Sequence, residues 1–246
     1  MSAENRGQVR IEQAAKRVRA VLAGEVVADT KRPLLVWEVP YYPTYYFPRA
    51  DVRTELFVPT RQTRRSPSRG EGKVSTLRVG DREAEGAVTE YPDSPIEALR
   101  DRVRLDWPAM DAWFEEDEEV FTHARDPHTR VDILPSSRHV RVEVNGVTVA
   151  DSHRPTLLFE TNLPTRFYLP KTDVRLDLLV ASDKVTHCPY KGQAEYWSVN
   201  TGETLVPDLA WSYRTPLPES ARIASLVAFP QEKADVYVDG ELQRRD

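Results

Sequence analysis

Residues 18–38, VRAVLAGEVVADTKRPLLVWE, lie over residues 140–160, VRVEVNGVTVADSHRPTLLFE, without a gap, and the offset of 122 between Val18 and Val140 decides the fold. Identical pairs include Gly24 with Gly146, Ala28-Asp29 with Ala150-Asp151, Arg32-Pro33 with Arg154-Pro155, and Glu38 with Glu160. The same offset carries Tyr46, Pro48, Asp51, Val52 and Arg53 onto Tyr168, Pro170, Asp173, Val174 and Arg175, and Pro67, Gly70 and Tyr91 onto Pro189, Gly192 and Tyr213. So long an agreement in phase is a duplication. A period above roughly 100 residues is a repeat of domains, each with its own core, and not the ~20–50-residue period of a solenoid. The expected organisation is two domains, 14–122 and 137–246, with a linker of limited order at 123–136, where Asp126-Pro127 and Pro135 interrupt any periodic pattern.

Local patterning makes both copies mainly β. In Val140 to Val144 and Val147 to Val149 apolar residues alternate, and Asn145-Gly146 between them supplies the two positive-φ positions of a type I′ turn. Short β-branched and aromatic runs follow at Phe167 to Leu169, Leu176 to Val180, Glu195 to Val199, Ala210 to Tyr213 and Asp235 to Val238, each bounded by Pro, Gly, Asn or Asp. One short helix per copy is expected, over Pro95 to Leu105 and over Pro218 to Val227, where apolar residues recur at helical spacing behind a proline. A further helix is expected over Ile11 to Arg17.

Composition narrows the function classes. Hydrophobic residues at 40% and charged residues at 30% describe an ordinary globular protein. Apolar runs such as Leu34 to Trp37 fall far short of the ~20 residues of a membrane span. The polar N-terminus MSAENRGQVRIEQ has no apolar segment of a secretory signal, so a cytoplasmic location is expected. A single cysteine excludes an internal disulfide and the paired-cysteine knuckles of a structural zinc site, so no metal and no cofactor are expected. A net charge of −5 gives no overall basic footprint for nucleic acid. The expected partner is a small molecule, or none.

Duplication also sorts residues. What both copies keep is most simply explained by the shared fold; reactive groups present in one copy are better candidates for chemistry. The largest asymmetry is Thr186-His-Cys-Pro-Tyr-Lys-Gly192 against Arg64-Arg-Ser-Pro-Ser-Arg-Gly70. Cys188 could act as a nucleophile if His187 or Lys191 lowered its pKa, and Glu160 or Lys191 could act as acid or base. The residue before a proline is extended and its neighbours project to opposite sides, so His187 is poorly placed to serve Cys188. A buried cysteine acting as a small hydrophobe is the plainer reading. Phe167, Tyr190, Tyr196, Trp197, Trp211 and Tyr213, with His187, are the candidate lining of a pocket, and Arg154 is a polar candidate for ligand binding. The same aromatic residues could simply fill a core. Arg61, Arg64, Arg65 and Arg69 and the acidic run Glu115 to Glu119 read as solvated loops, and the tyrosine-rich Pro40 to Pro48 as a packing or interaction segment.

With these residues in place a family can be named. Val140 to Arg175, the HCPYKG and YWSV stretches, AWSY and VAFPQEKADVYVDGE closely resemble the bacterial family filed as domain of unknown function 427; the first copy is similar but lacks HCPYKG and YWSV. The resemblance implies a compact β-rich domain akin to the β-tent or Mss4-like group, whose members often bind zinc through paired cysteines that this chain lacks. Some members carry a nucleotidyltransferase-like label, yet the chain has no glycine-rich phosphate loop and no Gly-Ser motif followed by paired metal-binding aspartates. The resemblance implies a fold and a place for a site. It leaves three functional classes: a small-molecule binder, an enzyme using Cys188, Lys191 or Glu160, and an interaction protein.

Overall fold

The computed structural model describes residues 9–243; most of the polar N-terminal segment lies outside them. The chain divides into two compact units at residues 126 and 127. Among the described residues no helix is long and apolar enough to cross a membrane.

The first unit contains β1 (Ile11–Gln13), β2 (Val18–Leu22), β3 (Glu25–Thr30), β4 (Leu34–Val36), β5 (Thr44–Pro48), β6 (Phe57–Ser66), β7 (Gly70–Val79), β8 (Arg82–Glu90), β9 (Arg102–Leu105), β10 (Ala112–Glu115) and β11 (Glu118–Glu119). They form a seven-stranded antiparallel sheet in the order β1-β4-β5-β9-β8-β7-β6 and a four-stranded sheet in the order β11-β10-β2-β3. The second unit repeats this strand for strand with β12 (Val131–Pro135), β13 (Val140–Val144), β14 (Val147–Ser152), β15 (Thr156–Glu160), β16 (Arg166–Leu169), β17 (Leu179–Cys188), β18 (Gly192–Asn200), β19 (Leu205–Ser212), β20 (Val227–Ala228), β21 (Asp235–Val238) and β22 (Glu241–Leu242). Its sheets run β12-β15-β16-β20-β19-β18-β17 and β14-β13-β21-β22.

Each large sheet is covered on both faces, which the two-residue side-chain period makes visible. In β16, Phe167 and Leu169 enter the main core with Val140, Val142 and Val236 of the small sheet, while Tyr168 between them points to the other face. There it meets Ile133, Leu158, Tyr213 and Ile223 in a second, smaller core. The first unit does the same: Tyr45 and Phe47 enter the main core, and Tyr46 joins Leu34, Val36, Tyr91 and Leu99 on the far face. The cover over that face is a short 3₁₀ segment, Glu97–Leu99 in the first unit and Pro218–Ile223 in the second.

The hairpin at Asn145-Gly146 forms as its sequence requires, with φ of 51° and 78°. Ala23-Gly24 makes the same turn at 51° and 76°, placing an alanine in the left-handed region that asparagine enters at less cost.

Three expectations are corrected. Ile11 to Arg17 is no helix: Ile11–Gln13 is an edge strand paired with β4, where apolar residues gain cross-strand partners that an isolated short helix would lack. Pro95 to Leu105 and Pro218 to Val227 each hold only a 3₁₀ segment, after which the chain enters β9 or β20 in the middle of the large sheet. Within the stretch read as a linker, Val131–Pro135 is an edge strand paired with β15, with Ile133 in the smaller core.

Candidate functional site

The HCPYKG stretch closes the hairpin between β17 and β18. Cys188 pairs with Gly192, leaving Pro189, Tyr190 and Lys191 as the connection, and Gly192 takes a φ of 93°. The segment that covers the smaller core pins this loop: Leu217 N–H donates to the Lys191 carbonyl (3.1 Å) and Ser220 Oγ to the Tyr190 carbonyl (3.0 Å). Held in this way, the buried Lys191 donates Nζ to the carboxylate of Glu160 at the end of β15. Only 11% of the lysine side chain and 8% of the glutamate side chain are exposed, so the ion pair is largely out of water.

Aromatic groups surround the pair. Tyr168 and Tyr213 are buried, and Cys188, Tyr196 and Trp211 pack against the same cluster. Trp211 donates Nε1 to Tyr168 Oη (3.3 Å), with the two rings edge to face. Arg166 lies over the outer face of the indole, 6.0 Å from its centroid, and is itself held by Glu232. Burial pushes both tyrosine phenols well above their ordinary value, with smaller contributions from neighbouring groups such as Cys188 and Glu160. Both therefore stay as neutral hydroxyls at physiological pH.

The structure thus gathers Glu160, Cys188, Lys191, Tyr196, Trp211 and Tyr213 from the sequence candidates and adds Tyr168. Trp197 and Arg154 do not join them. Trp197 follows Tyr196 on an extended strand, so it faces the main core, with Lys171 Nζ 5.8 Å from its ring. Arg154 is bound to Asp173 and Thr172. His187 is exposed on the strand while Cys188 packs inward against the smaller core.

Arg154 has a structural task instead. Its hydrogen bonds, with those of Ser152 and Thr172, hold the Asp173 carboxyl far below the usual carboxylate range despite the opposing effect of burial. A group whose folded-state pKa is depressed stabilises the fold above its unfolded value of ~3.9 and loses that contribution as pH falls below it. Wild-type protein is therefore expected to lose more stability than Asp173→Asn between about pH 4 and pH 2, measured by acid titration of unfolding.

The first unit holds a homologous arrangement. Glu38 accepts from Tyr46 Oη (2.6 Å) and Arg104 Nε (3.1 Å), with Arg69 Nη1 at 3.7 Å. Arg69 matches Lys191, Glu38 matches Glu160, and Tyr46 and Tyr91 match Tyr168 and Tyr213. The carboxylate–cation pair with two tyrosines is thus common to both units. What differs is a cross-strand pair beside it. Thr89 faces Arg104 in the first unit; Trp211 faces Ala228 in the second. The bulky partner has moved from one strand to its neighbour. Beside Glu38 and Arg104 a cleft of about 370 Å³ opens, lined also by Tyr42, Trp107 and His123; the Tyr42 and His123 rings stack at 4.0 Å.

Two units whose antiparallel sheets share one strand order, each with a largely buried ion pair under a 3₁₀ cover, define a tandem β protein. Residues 10–116 and 132–240 both match the family model described as domain of unknown function DUF427, whose short name carries a nucleotidyltransferase label, and the chain belongs to that family in both halves. No curated protein matches the chain.

Proposed function

We propose that the second unit binds a small molecule carrying a flat ring and a charged group, with Trp211 and Tyr213 against the ring and the Lys191–Glu160 pair meeting the charge. The observation that carries this reading is the ion pair itself. Burying two charges costs several kcal/mol per ion, and well-packed apolar residues would serve stability as well or better. The pair nevertheless occupies matching positions in both units, with the same two tyrosines, while the cross-strand pair beside it has diverged. Trp211, half-buried with its indole between Tyr168 and Arg166, offers a stacking surface next to that charge.

The test is a thermal-shift panel of aromatic and heteroaromatic carboxylates and amines, with native mass spectrometry of gently purified protein. Members that raise the melting temperature of wild type but not of Trp211→Ala support the reading. A panel without a single shift, and no retained mass, would sink it.

The cleft beside Glu38 favours a second reading, in which the first unit binds the ligand. Its lining brings Glu38 and Arg104 together with the aromatic rings of Tyr42, Trp107 and His123. A panel response abolished by Arg104→Ala and untouched by Trp211→Ala would select it.

A further inference from the structure

We propose that His139, Asp151 and His153, on the small sheet of the second unit, bind a divalent cation of borderline softness such as Zn²⁺ or Cu²⁺. The three residues offer one ligand atom each, and these atoms lie within 4.8 Å of one another. His139 Nε2 is 2.7 Å from Asp151 Oδ1, and the two imidazoles stack with centroids 4.2 Å apart.

The site is a product of strand register. From the turn, Val144 pairs with Val147 and Glu143 with Thr148; a bulge then shifts the pairing, so that Val142 meets Ala150 and Val140 meets Ser152. Continued by one residue, this register sets His139 opposite His153. Without the bulge His139 would oppose Ser152, and His153 would point to the other face of the sheet. Asp151 precedes His153 by two residues and shares its face. Two facing imidazoles and a diagonal carboxylate are thereby aimed at one point. Tetrahedral bonds of ~2.0–2.1 Å separate ligand atoms by about 3.3 Å, which side-chain rotation reaches from the observed spacing, and water completes the shell. An imidazole–carboxylate donor set suits zinc, copper or nickel rather than calcium or magnesium, with copper held most tightly.

The first unit supplies an internal comparison. The matching residues are Arg17, Asp29 and Lys31, and Arg17 Nη2 bonds Asp29 Oδ2 at 2.5 Å. There the cation beside the aspartate belongs to the chain. In the second unit both permanent cations are replaced by metal donors around the same aspartate, with 34% of the His139 and 52% of the Asp151 side chain exposed and open to an ion. The sequence expectation of no metal rested on missing cysteine pairs; these histidines meet only across the hairpin.

Calorimetric titration of the tag-free full chain with zinc sulfate tests the proposal, alongside electron paramagnetic resonance of the Cu²⁺ form. The expected result is one equivalent of zinc per chain and nitrogen couplings from two imidazoles. His139→Arg and His153→Lys install residues that the first unit already accommodates at these positions, and each should weaken zinc by at least ~10-fold, no less than the loss of a supporting group costs, with an unchanged circular dichroism spectrum. Cys188→Ser should bind as wild type does. No saturable zinc binding, undiminished binding in both histidine variants, or loss of binding in Cys188→Ser would overturn the proposal.

Discussion

Lys191→Met is expected to destabilise the second unit by about 3–5 kcal/mol, because it strands the Glu160 carboxylate where only 8% of its side chain is exposed. Adding Glu160→Leu should recover most of that loss, since a buried pair replaced by apolar groups of similar volume is often neutral or stabilising by ~1–4 kcal/mol. Hydrogen exchange at the amides of β18 and β19 reads the second unit alone. A single variant within ~0.5 kcal/mol of wild type would contradict the burial of the pair. The double variant also separates stability from binding: it should fold as well as wild type while responding to no member of the ligand panel. If it binds unimpaired, the pair belongs to the fold and the proposed site loses its charged half.

The second large effect is expected from Ala228→Arg, which gives the second unit the residue that the first carries as Arg104. In the first unit that guanidinium has Thr89 opposite it and two carboxylates, Glu38 and Asp106, to bind. In the second it would meet Trp211, and the nearby Glu160 is already held by Lys191. Overpacking alone costs ~1–3 kcal/mol, and an underpaired buried charge adds to it. Ala228→Arg should therefore destabilise by more than about 3 kcal/mol, and Trp211→Thr in the same chain should restore part of the loss by clearing the space. Denaturant unfolding of the three variants decides this, and a double variant no better than the single would break the exchange.

Much of the fold was legible because the duplication and the Asn145-Gly146 turn are local in sequence. The misread helices were not, because their outcome depends on distant partners: Arg102–Leu105 becomes a strand by inserting between β5 and β8. Arg104 was lost with that misreading. Tyr168 was missed for another reason. It is identical with Tyr46 across the copies and lies in a short apolar and aromatic run, Phe167 to Leu169, that a core strand explains by itself. The equivalence of Arg69 and Lys191 was already present in the offset, yet the two residue types differ, and only the matching partners Glu38 and Glu160 expose it. Trp197 parts from the cluster because neighbours on an extended strand face opposite sides, and which of Tyr196 and Trp197 faces Cys188 is settled only by the packing of the sheet.

The exchange of Thr89 and Arg104 for Trp211 and Ala228 has a consequence during folding. Two nearly interchangeable units joined in one chain invite strands of one to pair within the other, the usual misassembly of tandem repeats. A central strand that strayed would reveal itself: β9 placed beside β19 would drive Arg104 against Trp211, and β20 placed beside β8 would leave Ala228 and Thr89 facing a void. Both errors fail at the same spot, so the divergence of this cross-strand pair is expected to disfavour pairing between the strands of different units.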